Sequence, residues 1–284
     1  MKILLTGAKG QLGQSISNIA PSDWDILFAD KNKLDISNEN DVNKIVGEFS
    51  PDIIINAAAF TSVDKAEVDA DNANLVNHQG AKFVADAAQK YNARLIHIST
   101  DYVFDGTKST PYAVDDECKP INVYGSSKRN GEVEVLSSCD NAIILRTSWV
   151  YSENGANFLK TIFALLNSGK SITVVDDQIG CPTYAPDLAA MIINICQDSR
   201  ISGGIYHYCG DTTISWCQFA KLIAEKSGID SGLIQEVLSE NYNSPAQRPA
   251  YSVLNCSNLE QLGYQRSNFS NGLHNSLEKL VIKS

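Results

Sequence analysis

Short apolar runs alternate with stretches of helical period along the first half of the chain. Lys2-Ile-Leu-Leu-Thr6, Asp25–Asp30, Asp52–Asn56, Arg94–Ser99 and Ala142–Thr147 read as strands. The third is continuously apolar, as expected of a strand covered on both faces. Between them, Gln11–Ala20, Asn38–Ser50, Ala70–Asn92 and Tyr124–Leu136 read as helices. Asn38 or Ser37 is placed to cap the second of these. The longest, Ala70–Asn92, carries Leu75, Val76, Phe83, Val84 and Ala87 as its apolar positions. This alternation predicts βαβ units and a parallel, doubly wound sheet with right-handed crossovers.

After Trp149 the pattern loosens. Phe158–Leu166, Pro186–Gln197 and Ser215–Ser227 read as helices, the second with proline in its first turn and the third capped by Ser215. Ser171–Val175 and Gly204–Tyr208 read as strands, Gly232–Leu238 is ambiguous, and Asn271–Ile282 is a short amphipathic helix. The expected architecture is a Rossmann-like α/β domain over residues 1–148 that binds a dinucleotide. Residues 149–284 form a smaller α/β portion, mainly for substrate, with some segments returning to the first domain. It is expected to lie over the carboxyl ends of the strands, where such folds bind ligands.

With 284 residues, 43% apolar and 20% charged, the chain is an ordinary globular protein. A net charge of −10 with no basic block argues against nucleic acid as a partner. Lys2 followed by Ile3-Leu4-Leu5 resembles the start of a signal peptide, but the run stops at Thr6-Gly7. No run is long enough to span a membrane. The seven cysteines are scattered without a C-x-x-C, so they read as reduced and cytoplasmic. The four histidines lack metal-ligand spacing, and no metal is expected.

Gly7, Gly10 and Gly13 stand between the first strand and the first helix. Glycine there allows a tight turn and a close approach of pyrophosphate to a helix N-terminus. Asp30, twenty residues beyond Gly10, stands where an acid takes a ribose 2′-hydroxyl, unless it only caps a turn. Lys31 and Lys33 follow and can accept a 2′-phosphate, so NADH and NADPH both remain open. Asp35 and Ile36 lie where they can border the adenine. Asn56-Ala-Ala-Ala59 leaves room for a cofactor against the backbone, or packs under a helix, and Thr61 extends the same wall.

Tyr124 and Lys128, four residues apart, lie one turn from each other on one helix face. A nearby ammonium favours the phenolate, so the pair is expected to work as a general acid/base with a lowered tyrosine pKa. A hydroxyl from Ser99 or Thr100, at the end of the fourth strand, can reach the same reacting oxygen.

Taken in this order, Gly7-x-x-Gly10-x-x-Gly13, Asn56–Ala59, Ser99-Thr-Asp-Tyr-Val-Phe104 and Tyr124-x-x-x-Lys128 resemble the extended short-chain dehydrogenase/reductase superfamily. Val63-Asp-Lys-Ala-Glu67, Asn122-Val-Tyr-Gly125, Leu145–Tyr151, Asn157-Phe158, Asp177–Thr183 and Arg248-Pro249 narrow the likeness to the dTDP-4-dehydrorhamnose reductase family. The resemblance covers nearly the whole chain. It implies that Tyr124 protonates a C4 carbonyl oxygen as hydride arrives, that Lys128 holds the nicotinamide ribose, and that Thr100 hydrogen-bonds the reacting oxygen. It implies that Asp101 and Trp149 hold the sugar, and that Gly10, Gln11 and Leu12 cradle the pyrophosphate. Ala59, Phe60, Thr61 and Ile98 would line the cofactor site. Ile98 and Phe60 depart from the family, which commonly has Tyr and His there.

The implied cofactor is NADPH or NADH, and the implied partner is a dTDP-sugar, with room for a homodimer. A substrate diphosphate needs local cations in so acidic a chain. Arg248 is the best candidate, its alternative being a surface salt bridge. Trp149 offers a flat face to the deoxy sugar, or else is a core tryptophan. Two rival readings stay open: a non-catalytic cofactor-binding subunit resembling the regulatory subunit of methionine adenosyltransferase, and an epimerase or dehydratase acting on another nucleotide sugar.

Overall fold

A computed structural model describes residues 1–283 of the chain. In the first half the elements are β1 (Lys2–Thr6), α1 (Gln11–Ile19), β2 (Asp25–Ala29), α2 (Glu39–Phe49), β3 (Ile53–Asn56), α3 (Val63–Val68), α4 (Ala70–Asn74), α5 (Ala81–Lys90), β4 (Arg94–Thr100), α6 (Val123–Ser138) and β5 (Ile143–Thr147). The second half adds β6 (Val150–Tyr151), α7 (Phe158–Asn167), β7 (Ile172–Val175), β8 (Ile179–Gly180), β9 (Thr183–Tyr184), α8 (Ala185–Gln197), β10 (Gly204–His207), β11 (Ile214–Ser215), α9 (Trp216–Lys226), β12 (Ile234–Val237), α10 (Ser257–Glu260) and α11 (Phe269–Lys283).

Six parallel strands form the central sheet in the order β10-β5-β4-β3-β1-β2. Alternation along each strand explains the continuous apolar runs. Leu4, Ile54, Leu95 and Ile144 point to the face covered by α2, α5 and α6. Ile3, Leu5, Ile53, Ile55, Ile96, Ile143 and Leu145 point to the face covered by α1 and α8. Buried polar side chains gather toward the carboxyl ends of the strands, at Thr6, Asn56, His97, Ser99 and Thr100.

The helix expected over residues 70–92 is interrupted. Leu75–Gly80 is a π-helical turn between α4 and α5, a local widening of the kind that turns a side chain off the regular helical face. Asn38 caps α2, accepting from the N–H groups of Asn40 and Asp41. Ser215 and Gln218 form a reciprocal capping box on α9.

Beyond β5 the chain changes role twice. α7, α9 and α11 pack with β7 and β12 around a separate apolar cluster that includes Leu159, Phe163, Phe219, Ile223 and Leu273. β10 and α8 instead return to the central sheet, β10 beside β5 and α8 against α1. A cleft of about 1930 Å³ runs along the carboxyl ends of the strands, walled on the far side by α7, β7 and the segment 239–250.

Candidate active site

β1 lies between β2 and β3, so the chain leaves it toward one edge of the sheet and returns on the other side. The carboxyl ends of β1 and β3 diverge there and open a crevice. Gly7 has φ +67°, and a Cβ on it would lie 2.7 Å from the backbone of Ala57 and Ala58. A Cβ on Gly13 would overlap the Gly7 carbonyl. Gly10 caps α1 without a side-chain hydrogen bond, leaving the first-turn N–H groups of α1 available to an anion.

The Gln11 side chain is occupied. It donates to Val150 O at 3.0 Å and accepts from Asn157 Nδ2 at 3.2 Å, so only its backbone faces a pyrophosphate. The surroundings of Asp30 also differ from the sequence expectation. Its carboxylate is ion-paired with Lys9 of the glycine turn and accepts from the Lys33 N–H at 3.0 Å. The hydrogen bond from Lys9 is the main reason its pKa lies below the ordinary carboxylate value. Lys31 instead pairs with Asp35 at 3.8 Å. Ile36, Ala59, Phe60, Thr61 and Ile98 line the cleft with these groups.

Thr100, Asp101, Tyr124 and Lys128 line the middle of the cleft. The asparagine cap at Asn122, accepting from Gly125 N–H at 2.7 Å, starts α6 just before Tyr124, which stands about one turn ahead of Lys128. Ser99 and Thr100 alternate across β4. Both line the cleft, but the Ser99 hydroxyl is taken by buried Glu132, to which it donates at 2.6 Å. Glu132 is held by Arg146 through two 2.8 Å contacts, a bidentate pair beneath the site.

The expectation of a lowered tyrosine pKa is overturned. Desolvation pushes Tyr124 up to about 12, opposed by a hydrogen bond with Thr100 and reinforced by the nearby Asp101 carboxylate. The Lys128 amino group points instead to Ile98 O at 2.7 Å and to His97 Nε2 at 3.4 Å. Burial pulls its pKa down to about 8. Tyr124 is therefore a neutral phenol at physiological pH, the form that can donate a proton. Asp101 accepts from Thr100 Oγ1 at 3.0 Å, while its buried Oδ2 has no partner and burial pushes its pKa up to about 7.

At the far end of the cleft, Trp149 has φ +48°, a left-handed conformation uncommon outside glycine. Its ring stacks on Trp216 with centroids 3.4 Å apart and planes 7° from parallel, and Gly180 lies tightly against it. Arg248 borders the cleft but is not a free cation. It pairs with Asp64 of α3 at 2.9 Å and donates to Ser244 Oγ and to Ala246 O.

Several residues that build the site escape a reading by motif. Asn77, buried in the π-helical turn, clamps Phe60 from both sides: it accepts from the Phe60 N–H at 2.8 Å and donates to Phe60 O at 2.9 Å. The available signal was an asparagine four residues before Ala81 on the buried stripe of a helix. Lys9, His97 and Trp216 carry no such signal, because their partners are distant in sequence, and Asp64 and Gly180 stood inside the family motifs without an assigned role.

A glycine turn at the switch point of a parallel sheet, with threonine, tyrosine and lysine at the neighbouring strand ends, defines a dinucleotide-binding protein of the extended short-chain dehydrogenase/reductase class. The family model described as RmlD substrate binding domain matches residues 1–282. The chain belongs to the dTDP-4-dehydrorhamnose reductase family. It is 40% identical to a dTDP-4-dehydrorhamnose reductase of Aggregatibacter actinomycetemcomitans, covering 96% of this chain and 97% of that one. It is 38% identical to the spore coat polysaccharide biosynthesis protein SpsK of Bacillus subtilis, covering 98% and 97%. The crystal structure of dTDP-4-dehydrorhamnose reductase from Bacillus anthracis in complex with NADP superposes with a TM-score of 0.92 at 38% identity, over 100% of this chain and 99% of that one. Among the described residues, no helix is long and apolar enough to cross a membrane.

Proposed function

We propose that the chain reduces the C4 keto group of dTDP-4-dehydro-β-L-rhamnose to give dTDP-β-L-rhamnose, using NADPH or NADH. The observation that carries this reading is one cleft shared by the glycine turn and by Thr100, Tyr124 and Lys128. Residues 1–148 hold the cofactor, and most of 149–284 holds the nucleotide sugar. The chain works in the cytoplasm.

The crevice fits a dinucleotide: a Cβ on Gly7 or Gly13 would strike the backbone that shapes the turn, and the N-terminus of α1 offers unpaired N–H groups. Gly10, Gln11, Leu12 and Gly13 hold the pyrophosphate by backbone, Asp30, Asp35 and Ile36 border the adenosine, and Ala59, Phe60, Thr61 and Ile98 wall the nicotinamide half. The bound cofactor supplies the hydride. Thr100 turns its hydroxyl from Asp101 to donate a hydrogen bond to the C4 oxygen, and Tyr124 gives that oxygen its proton. Lys128 holds the ribose hydroxyls. Asp101 takes a sugar hydroxyl through its unpartnered oxygen, Trp149 packs on the sugar, and Arg248 meets the diphosphate.

The test is oxidation of NADPH and NADH by the purified protein with dTDP-4-dehydro-β-L-rhamnose, with dTDP-β-L-rhamnose identified as product. No oxidation with either cofactor sinks the reading. Binding of cofactor without turnover would point instead to the non-catalytic alternative.

A further inference from the structure

A chain of buried polar groups runs beneath the floor of the cleft. The Ala58 N–H donates to Thr6 Oγ1 at 3.2 Å, and Thr6 Oγ1 donates to Asn56 Oδ1 at 2.7 Å. Asn56 Nδ2 lies 3.1 Å from His97 Nδ1, and His97 Nε2 lies 3.4 Å from Lys128 Nζ, which donates to Ile98 O at 2.7 Å. β1, β3, β4 and α6 each contribute one side chain, and all four are buried.

The direction of the chain is set at its start. The Thr6 hydroxyl accepts from the Ala58 N–H with one lone pair and donates its own proton to Asn56 Oδ1, an oxygen that can only accept. The amino group of Asn56 then faces the imidazole, and Nδ1 must accept. A neutral imidazole has one N–H, which is left on Nε2, aimed at Lys128. The ring stays neutral because burial, and then the neighbouring Lys128, hold its pKa well below the ordinary value. An ammonium has three donors and no acceptor, whereas an amine can accept from Nε2–H.

We propose that His97, locked in its Nε2–H tautomer by Asn56 and Thr6, is a positioning residue that stabilises the amine form of Lys128 by donating to it. The inference rests on the role given above to Lys128. The other groups around Lys128 are few. Tyr124 and Glu132 share its helix, Glu132 being neutralised by Arg146 of β5 and by Arg129, and Asp101 follows β4. Burial lowers the pKa of Lys128, and Glu132 opposes that shift. In turnover, Tyr124 is left as a phenolate once its O–H proton has gone to the substrate oxygen. A proton from the Lys128 ammonium restores the phenol and leaves the amine, which regains a proton from solvent. The contact with His97 Nε2–H is made in that amine state.

Two measurements without turnover test this. The first is the imidazole ¹⁵N spectrum of the cofactor-free protein, with four histidines to resolve. The His97 signal is assigned by its loss in His97→Asn or His97→Gln. It should show the Nε2–H tautomer with no protonation from about pH 5 to about pH 9; an Nδ1–H tautomer overturns the proposal. The second is NADPH affinity against pH, read by fluorescence. In the wild type it should weaken as Lys128 loses its charge near pH 8. His97→Asn, too short to reach Nζ, should move that midpoint up by at least about half a pH unit. His97→Gln, able to donate from its amide, should keep it near the wild-type position. A midpoint unmoved or lowered in a folded His97→Asn protein overturns the proposal. If that variant does not fold, the tautomer and the His97→Gln midpoint decide. Failure of the substrate assay would leave both results intact, so the two readings fail separately.

Discussion

Nη2 of Arg248 lies 2.9 Å from Oδ1 of Asp64, which ties the segment over the cleft to α3. The pair holds the guanidinium fork in one orientation before any phosphate arrives. Arg248→Ala is expected to raise KM for the dTDP-sugar about tenfold or more, ~1.4 kcal/mol of binding, with a smaller effect on kcat. Asp64→Ala should raise KM by less, because the charge remains and only its orientation is lost. Steady-state kinetics on both variants checks this; unchanged KM in both would leave the pair as a structural tie alone.

Tyr124 holds its proton far above physiological pH, so its loss removes a donor and not a charge. Tyr124→Phe is expected to bind NADPH normally and to lose ~10²–10⁴ in turnover. Lys128→Met should weaken cofactor binding as well. Equilibrium NADPH titration beside turnover separates the two roles, and near-normal turnover by the Phe variant would remove Tyr124 from the reaction.

The ion pair between Lys9 and Asp30 makes the adenosine end of the cleft nearly neutral. In the proposed site a 2′-hydroxyl would meet the carboxylate and a 2′-phosphate would meet the lysine. NADH and NADPH are therefore expected to differ by less than about tenfold in kcat/KM. Lys9→Ala leaves the carboxylate facing the phosphate and should shift the ratio toward NADH by about tenfold or more. A thousandfold preference in the wild type would contradict this balance.

Asp101 gives a pH-dependent stability. Its carboxyl is raised to about 7 by burial, against 3.8 when exposed. Between those values the folded state keeps the proton while the unfolded state has released it, so this group's contribution falls as pH rises through that window. Asp101→Asn should gain stability relative to wild type from pH 4 to pH 8, by up to ~4 kcal/mol from about three pKa units. Denaturant unfolding of both proteins at the two pH values measures the difference; a constant difference would mean that Asp101 titrates normally in the fold.

Gly180 supports the indole of Trp149 from a distance of thirty-one residues in sequence. A methyl group there enters the space of the ring, which is already fixed by Trp216. Gly180→Ala should therefore lower kcat more than it changes NADPH affinity, through misplacement of the sugar. Equal kcat in the variant would show that the ring does not orient the substrate.

The sequence by itself determined the sheet and the cradle. Apolar runs such as Ile53-Ile-Ile55 need two covered faces, and the glycine turn must follow the first strand. These are local properties of short segments, set by side-chain alternation and by the lack of a Cβ. The sequence also brought Thr100, Tyr124 and Lys128 to one region, because strand ends and a helix start in a βαβ fold have a known place. The partners of those residues were decided only by the tertiary structure. Spacing on a helix suggested that Lys128 would act on Tyr124, whereas packing turned its amine to Ile98 O and His97, and burial raised the phenol. Ser99 and Thr100 were equivalent until Glu132 took the first. Asp30 found its ion-pair partner in Lys9 and not in the ammonium groups of Lys31 or Lys33, because the glycine turn folds back over the end of β2. A pKa and an ion pair depend on what lies within a few ångströms, and in this chain those neighbours come from strands and helices tens of residues apart.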